Sequence, residues 1–329
     1  MATPDRIDVL LYGLGAIGSF YAFILSRAQN VRLTVFARSN YEAVKANGLT
    51  ILSENHGNHT QLIDVEIVIK TPAEAQCTFD YIVCAHKAID QASVAKQLAP
   101  AVDEKKTTIV IIQNGVGNEE AFRQAFPGGS IISGVTWVGA RQTEPGIVAH
   151  TTSEDLQIGL FPNNTVDQHL EKQRLDKFAS LLTQGNTVFQ VVPNIQIQRW
   201  EKVVWNAAWN SLTTLTMLDT HSWLESSPDA TPLTRRLMHE VINVAQKCEV
   251  PLEHGLVDRL IDRILNMHTI VSSMQVDAKN EKPMEVEVIL GYPARKGKEL
   301  GLDIPTLETL YIILTGMNQR FIKTAAEQP

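Results

Sequence analysis

The first half of the chain alternates apolar runs of strand length with segments whose apolar residues recur at helical spacing. Along the chain these segments are IDVLLYG, GAIGSFYAFILSRA, VRLTVFA, YEAVKANG, YIVCA, TTIVIIQ and IISGVTWVGA. Such alternation is typical of a mostly parallel sheet covered by helices. Two further segments, GIVAHTT and DLQIGLF, have an antiparallel character, and we expect both to extend one edge of that sheet. A helix around LEKQRLDKFASLL and a strand near TVFQVV follow.

The pattern changes at Pro193, because strand patterns end there and long segments with helical periodicity continue to the C-terminus. A chain of 329 residues is also longer than one typical hydrophobic core requires. We therefore predict an α/β domain over residues 1–193 and an all-helical domain over residues 194–329. A ligand site is expected in a cleft where the carboxyl ends of the strands face the helical domain.

The motif GLGAIG follows the first strand directly and opens the next helix. Gly13 permits a tight turn, Gly15 leaves the backbone open to a pyrophosphate, and Gly18 lets helix and strand pack closely. In this context the motif predicts a Rossmann-type dinucleotide-binding domain rather than a glycine-rich turn of another α/β fold. Its predicted cofactor-binding residues are Gly13, Leu14, Gly15, Ala16, Ile17 and Gly18.

The end of the second strand indicates which dinucleotide is bound. An acidic residue there would bind the ribose 2′-hydroxyl of NAD, but VRLTVFA is followed by Arg38, Ser39 and Asn40. A guanidinium group with neighbouring polar side chains suits a 2′-phosphate, so the sequence favours NADPH/NADP+ over NADH. The alternative for Arg38 is an ordinary exposed arginine.

Polar residues also follow two later strands of the predicted sheet. Lys87 comes after YIVCAH, and Asn114 comes after TTIVIIQ. Because the carboxyl ends of parallel strands share one edge of the sheet, we expect both side chains on the nicotinamide side of the cleft. The alternatives are a solvated lysine and an asparagine that serves the turn before Gly115.

Lys202, Asn206 and Asn210 are four residues apart within RWEKVVWNAAWNSLTTL, so a helix presents them on one face. Asparagine is a poor helix former, and packing alone does not require two in line. The helix already carries apolar residues for burial, namely Trp200, Val203, Val204, Ala207, Ala208 and Leu212. This polar stripe therefore predicts a ligand-binding face, the alternative being an ordinary solvated helix face.

The net charge of −7 and the pI near 5.7 oppose binding to nucleic acid and to anionic membrane surfaces. We find no apolar stretch long enough to span a bilayer and no secretory signal pattern, so we expect a cytoplasmic protein. The three cysteines form no C-x-x-C pair and are predicted to be buried, reduced thiols. No metal site is predicted, because the pair His56 and His59 has no nearby carboxylate cluster and is interpreted as loop surface.

These motifs resemble, in their order and spacing, those of the ketopantoate reductases (2-dehydropantoate 2-reductases). The resemblance rests on GLGAIG, the strand end at Arg38, Lys87, QNGVG, RWEKVVWNAAWN and the sequence SSM followed by EVEVILG. It spans nearly the whole chain. It implies a Rossmann-type N-terminal domain, a helical C-terminal domain and NADPH-dependent reduction of 2-dehydropantoate to (R)-pantoate, a step toward pantothenate and coenzyme A.

The resemblance also implies a role for each matching residue. Lys202 would be the general acid and Glu285 the partner that binds the substrate's hydroxyl and orients the lysine. The substrate would be held by Asn206, Asn210 and Ser273, Asn114 and Lys87 would lie between cofactor and substrate, and Arg38 would bind the 2′-phosphate. From the residues alone the choice between Glu285 and Glu287 stays open, because Pro283 marks a first helical turn where an acidic residue suits the dipole.

The chemistry of such a reduction agrees with a lysine in this place, because hydride addition to a 2-oxo carbon places negative charge on oxygen. The alternatives are a reductase of another branched 2-oxo acid, a 3-hydroxy acid dehydrogenase and a non-catalytic NADP(H)-binding sensor. The expected partner is a small-molecule 2-oxo acid. The long C-terminal helices leave open whether they bury only against one another or also against a second subunit of a homodimer.

Overall fold

The computed structural model of the protein describes residues 6–61 and 65–327. These residues divide into two compact units: the first comprises the chain up to Gln113 together with Asn118–Ile195, and the second comprises Asn114–Gly117 and the chain from Gln196 onward. The assignment of cofactor binding to residues 1–193 and of substrate binding with catalysis to residues 194–329 stays a prediction.

The first unit contains twelve strands and five α-helices among its described residues. They are β1 Ile7–Tyr12, α1 Ala16–Ser26, β2 Val31–Phe36, α2 Tyr41–Asn47, β3 Leu49–Ser53, β4 Gly57–Gln61, β5 Val65–Ile69, β6 Tyr81–Cys84, α3 Gln91–Leu98, β7 Thr108–Ile112, α4 Asn118–Ala125, β8 Ser130–Thr136, β9 Ala140–Glu144, β10 Ile147–His150, β11 Leu156–Phe161, α5 Gln168–Gln184 and β12 Phe189–Val191.

Eight strands form one sheet in the order β12-β11-β8-β7-β6-β1-β2-β5. The central pairs, from β2 through β1, β6 and β7 to β8, are parallel, and β11 runs antiparallel to β8. One core lies on the face covered by α1 and α5, and the other lies on the face covered by α3 and α4. The chain continues from β1 into α1 on one face of the sheet and from β6 into α3 on the other face. The carboxyl ends of β1 and β6 therefore border the crevice where such sheets bind ligands.

The segment GIVAHTT does not extend this sheet, which corrects the expectation from the sequence. It forms β10 in a separate four-stranded sheet of order β4-β3-β10-β9, whereas DLQIGLF forms β11 in the main sheet as expected. The strands β3 and β4 form a hairpin, and the free edge of β3 accepts β10 in parallel register. Alternation along a strand shows which face is buried but not which neighbouring edge it pairs with.

His56 is also not loop surface. Its Nε2 lies 2.9 Å from Oε2 of Glu154, and its side chain is 7% exposed. The side chain of His59 lies outside the described residues. The carboxylate that pairs with His56 is 98 positions away along the chain, so the residues that flank His56 do not indicate it. Cys77, Cys84 and Cys248 are free thiols, but only Cys84 is fully buried.

In its described residues the second unit consists of helices and their connections. The helices are α6 Ile195–Thr216, α7 Thr220–Glu225, α8 Ala230–Lys247, α9 Leu256–Leu265, α10 Ser273–Lys279, α11 Tyr292–Glu299 and α12 Pro305–Glu327, and a π-helical turn, Glu287–Gly291, precedes α11. No helix in the described part of the chain is long and apolar enough to cross a membrane. The predicted fold, a Rossmann-type unit with a mostly parallel sheet followed by a helical unit, is confirmed.

Candidate functional site

The glycine turn in the first unit has the geometry that its sequence requires. Gly13 has a φ of +104°, and a Cβ atom there would lie 2.5 Å from the backbone nitrogen of His86. A Cβ atom on Gly18 would lie 1.9 Å from the carbonyl oxygen of Gly13. By contrast, nothing lies within 4 Å of a Cβ atom built on Gly15, which is the N-cap residue of α1. The turn is therefore tightly packed on its inner side and open at the positive end of the helix.

The other three residues of the motif differ in their surroundings. Leu14 is buried, and its carbonyl oxygen accepts a hydrogen bond of 2.6 Å from Nδ2 of Asn40. Ala16 and Ile17 are half-buried in the first turn of α1. The open helix end fits a pyrophosphate, because its backbone N–H groups and the helix dipole both favour an anion.

Arg38 and Ser39 are exposed directly after β2, which is the place where a 2′-phosphate would lie if the dinucleotide binds at the turn. Asn40, which follows them, is buried and bonds to Leu14 and to Gln142. Its amide therefore supports the glycine turn from within, and Arg38 and Ser39 remain as the groups available to a phosphate.

A polar cluster that the sequence analysis missed lies at the ends of β6 and β7. His86 Nε2 is 2.9 Å from Oε1 of Gln91, and Nε2 of Gln113 donates to the carbonyl oxygen of His86 at 2.7 Å. Desolvation lowers the pKa of His86 to about 4, so the ring is neutral near pH 7. The cluster holds the backbone of His86 against Gly13, and the next residue, Lys87, is exposed. In the sequence, the only sign of this cluster is that His86 and Lys87 follow the strand β6.

The second unit carries the polar stripe on α6. Asn206 and Asn210 are each 5% exposed, and Trp209 between them is fully buried. Among the described residues, the Nδ2 atoms of both asparagines and Nε1 of Trp209 have no hydrogen-bond partner. A buried donor without a partner costs about 1–3 kcal/mol, so three of them along one helix face favour a ligand that accepts hydrogen bonds. Trp209 is thus a further polar donor on this face, beyond the residues that the sequence indicated.

Lys202 begins this stripe and has an altered acidity. Although the residue keeps some exposed surface, desolvation lowers its pKa from 10.5 to about 7. The carboxylate of Glu285 opposes this effect, and the positive charges of Arg199 and Arg263 add to it. An ammonium group with such a pKa can give up its proton near neutral pH.

The structure distinguishes the two glutamates that the sequence left open. Glu285 is 8% exposed and accepts a hydrogen bond of 3.3 Å from Nδ2 of Asn114. Its negative charge raises the pKa of Lys202 and so favours the protonated lysine. Glu287, with a side chain that is 45% exposed, pairs with Arg295 and accepts from the hydroxyl of Tyr311. Glu285 also precedes the π-helical turn, so it is not the first-turn residue that Pro283 suggested.

Ser273 lies at the far end of the stripe. The side chain of Ser272 caps α10, accepting from the backbone N–H of Gln275, and lies 2.8 Å from Oγ1 of Thr213. Thr213 is about one helical turn beyond Asn210 on the same face of α6. Ser273, the first residue of α10, is exposed there.

The predicted site residues thus form two groups. In the second unit one face brings together Lys202, Asn206, Asn210, Asn114 and Glu285, with Ser273 at its end. In the first unit the glycine motif, Arg38 and Lys87 lie at the carboxyl ends of β1, β2 and β6. The first group can donate hydrogen bonds and a proton to an anionic ligand, and the second can bind a dinucleotide.

Similarity to known proteins extends over both units of the chain. Residues 9–163 match the family model described as ketopantoate reductase PanE/ApbA, and residues 194–318 match the model of its C-terminal region. A 2-dehydropantoate 2-reductase of Nostoc sp. is 26% identical over 303 residues, which cover 92% of this chain and 92% of the relative.

Two crystal structures have the same fold over nearly the whole length of the chain. The 2-dehydropantoate 2-reductase of Methylococcus capsulatus is 32% identical with a TM-score of 0.84, and the match covers 96% of this chain and 98% of that one. That of Geobacter metallireducens is 27% identical with a TM-score of 0.84, covering 94% and 99%. Since the two family models together match more than half of the sequence, the chain belongs to the ketopantoate reductase family of oxidoreductases.

Proposed function

We propose that the protein is an NADPH-dependent 2-dehydropantoate 2-reductase, which forms (R)-pantoate for the synthesis of pantothenate and coenzyme A. The observation that carries this proposal is the face of α6, where Lys202 has a pKa near neutrality and lies beside buried amide donors and Glu285. The names of the relatives from Nostoc sp. and Methylococcus capsulatus support the choice of substrate.

The cofactor would bind in the first unit. Its pyrophosphate would lie at the open N-terminus of α1 beside Gly15, and its 2′-phosphate would pair with Arg38. Lys87 and Asn114 would lie on the nicotinamide side. When bound, NADPH supplies the hydride for the 2-oxo carbon.

The substrate would bind along the stripe. Asn206 and Asn210 would donate to its oxygen atoms, which would satisfy the donors that are otherwise buried without partners. Ser273 would bind near its carboxylate, and Glu285 would accept a hydrogen bond from its hydroxyl group. These contacts fix the orientation of the 2-oxo group relative to Lys202.

Lys202 would act as the general acid. Its ammonium group stabilises the negative charge that develops on the 2-oxo oxygen and then donates a proton to that oxygen, which leaves the amine neutral. The amine regains a proton from water before the next turnover. Glu285 favours the charged form of Lys202 and so keeps a proton available near pH 7.

The proposal is tested by following the near-ultraviolet absorbance of the reduced cofactor with a panel of 2-oxo acids, each assayed with NADPH and with NADH. We expect the highest kcat/KM for 2-dehydropantoate with NADPH, and (R)-pantoate as the product by chiral chromatography. A higher kcat/KM for another 2-oxo acid would identify that acid as the substrate in place of 2-dehydropantoate. Cofactor binding without oxidation across the whole panel would favour a non-catalytic NADP(H) sensor.

The role of Lys202 is tested by Lys202→Ala. We expect kcat to fall by at least about 10²-fold, the lower range for general acid catalysis, while the affinity for NADPH stays the same. The matched control is Lys298→Ala, which removes an exposed lysine that pairs with Glu308 on the surface of the same unit. Near-normal turnover of Lys202→Ala would exclude Lys202 from proton transfer.

A further inference from the structure

Arg199 lies one helical turn before Lys202 on α6 and is among the largest fully buried side chains of the protein, with 1% exposure. A buried guanidinium group is costly unless polar groups surround it, so it calls for a specific reason. Its Nη1 donates a hydrogen bond of 2.9 Å to the carbonyl oxygen of Gly115. The buried charge is thus directed at the short turn Asn114–Gly117.

This turn is held on a second side by the π-helical turn. Gly115 has a φ of +90°, and a Cβ atom there would lie 2.5 Å from Cβ of Val288. The N–H of Val116 donates to the carbonyl oxygen of Val288 at 3.0 Å. With Arg199 on one side and Val288 on the other, the backbone of the turn has little freedom to move.

The turn carries Asn114, whose amide contacts the carboxylate of Glu285. Arg199 therefore acts on the proposed site in two ways. It fixes the backbone that presents Asn114 to Glu285, and it places a positive charge near Lys202. The charged groups that act on Lys202 are Glu285, from the segment before the π-helical turn, Arg199, from α6 itself, and Arg263, from α9.

We infer that Arg199 is a positioning residue of the proposed reduction, which anchors the Asn114 turn to α6 and sets the electrostatic surroundings of Lys202. This inference rests on the proposed function. Two substitutions of Arg199 distinguish the anchoring of the turn from the electrostatic effect on Lys202. Arg199→Lys keeps the positive charge but loses the planar fork that reaches Gly115, and Arg199→Gln keeps an N–H donor but loses the charge.

The anchoring effect is measured by hydrogen–deuterium exchange of the amide of Val116. We expect exchange at least about tenfold faster in Arg199→Lys than in the wild type, because the loss of one charge-assisted hydrogen bond loosens the turn by about that factor. The matched control is Arg235→Gln, which removes an arginine whose side chain is 38% exposed and pairs with Asp258. Unchanged exchange in a folded Arg199→Lys protein overturns the anchoring role, and this arm stands even if Arg199→Gln does not fold.

The electrostatic effect is measured by the pH dependence of the reaction of Lys202 with an acylating reagent, followed by mass spectrometry. Loss of the Arg199 charge raises the pKa of Lys202, so the onset of reactivity moves to higher pH in Arg199→Gln and stays in place in Arg199→Lys. The basic limb of kcat/KM moves in the same direction. Equal onsets in wild type and Arg199→Gln overturn the electrostatic role. Absence of turnover in the wild type refutes the proposed function but leaves the exchange and acylation results valid.

Discussion

The acidity of Lys202 predicts a steep loss of activity at alkaline pH. Desolvation lowers its pKa to about 7, against 10.5 for an ordinary lysine. The charges of Arg199 and Arg263 act in the same direction, and Glu285 opposes them. As the proposed general acid, Lys202 must carry its proton to act, so the rate should follow the protonated fraction and be lost as the pH rises through the pKa.

The size of the loss follows from that value. With a pKa of about 7, Lys202 is about half protonated at pH 7, about one-tenth at pH 8 and about one-hundredth at pH 9. We therefore expect kcat/KM for 2-dehydropantoate to fall about a hundredfold between pH 6 and pH 9. A lysine with an ordinary pKa would show almost no loss over the same range. His86 does not contribute to this limb, because burial lowers its pKa to about 4.

The measurement is a pH profile of kcat/KM at saturating NADPH in buffers of constant ionic strength. Lys202→Arg is the control, because a guanidinium group keeps its proton throughout this range and its residual rate should show no such limb. A wild-type profile that stays within about threefold from pH 6 to pH 9 would refute the assignment of Lys202 as a proton donor with a depressed pKa.

Three further predictions concern the surroundings of the site. Glu285→Gln removes the charge that favours the protonated form of Lys202, so the basic limb of kcat/KM should move to lower pH. The control Glu287→Gln changes a side chain that is 45% exposed and should leave this limb in place. Equal shifts in the two variants would contradict the assignment of Glu285 as the partner of Lys202. Arg38→Ala should weaken NADPH at least about tenfold more than NADH in a fluorescence titration, and equal weakening would mean that Arg38 does not bind the phosphate. Gly18→Ala places a methyl group 1.9 Å from the carbonyl oxygen of Gly13. It should lower the free energy of unfolding, measured by urea denaturation, by about 1–3 kcal/mol and also weaken the binding of NADPH. An unchanged free energy of unfolding together with an unchanged affinity would refute the close packing of helix and strand.

Local patterns were sufficient for the features that depend on neighbouring residues. The alternation of strands and helices predicted the Rossmann-type unit, and GLGAIG between a strand and a helix predicted the open end of α1. The spacing of Lys202, Asn206 and Asn210 predicted one helix face because an α-helix repeats every 3.6 residues whatever surrounds it. Each of these features is determined within one element and its immediate flanks.

Contacts between distant parts of the chain were decided only by the tertiary structure. Asn40 bonds to a residue 26 positions away, and Arg199 bonds to one 84 positions away. The same holds for β10, which pairs with β3 rather than with the main sheet. No local pattern contains these partners, because which polar groups meet depends on how the elements pack.

The two glutamates show the division most clearly. Glu285 and Glu287 are two residues apart, and the sequence offers both as acids near a helix start. The structure buries Glu285 beside Asn114, whereas the side chain of Glu287 is 45% exposed and pairs with Arg295. The sequence alone determined the fold class, the glycine turn and the stripe, because backbone periodicity and glycine sterics are local. The choice of the carboxylate and the lowered pKa of Lys202 needed the tertiary structure, because desolvation and charge pairing depend on groups that only folding brings together.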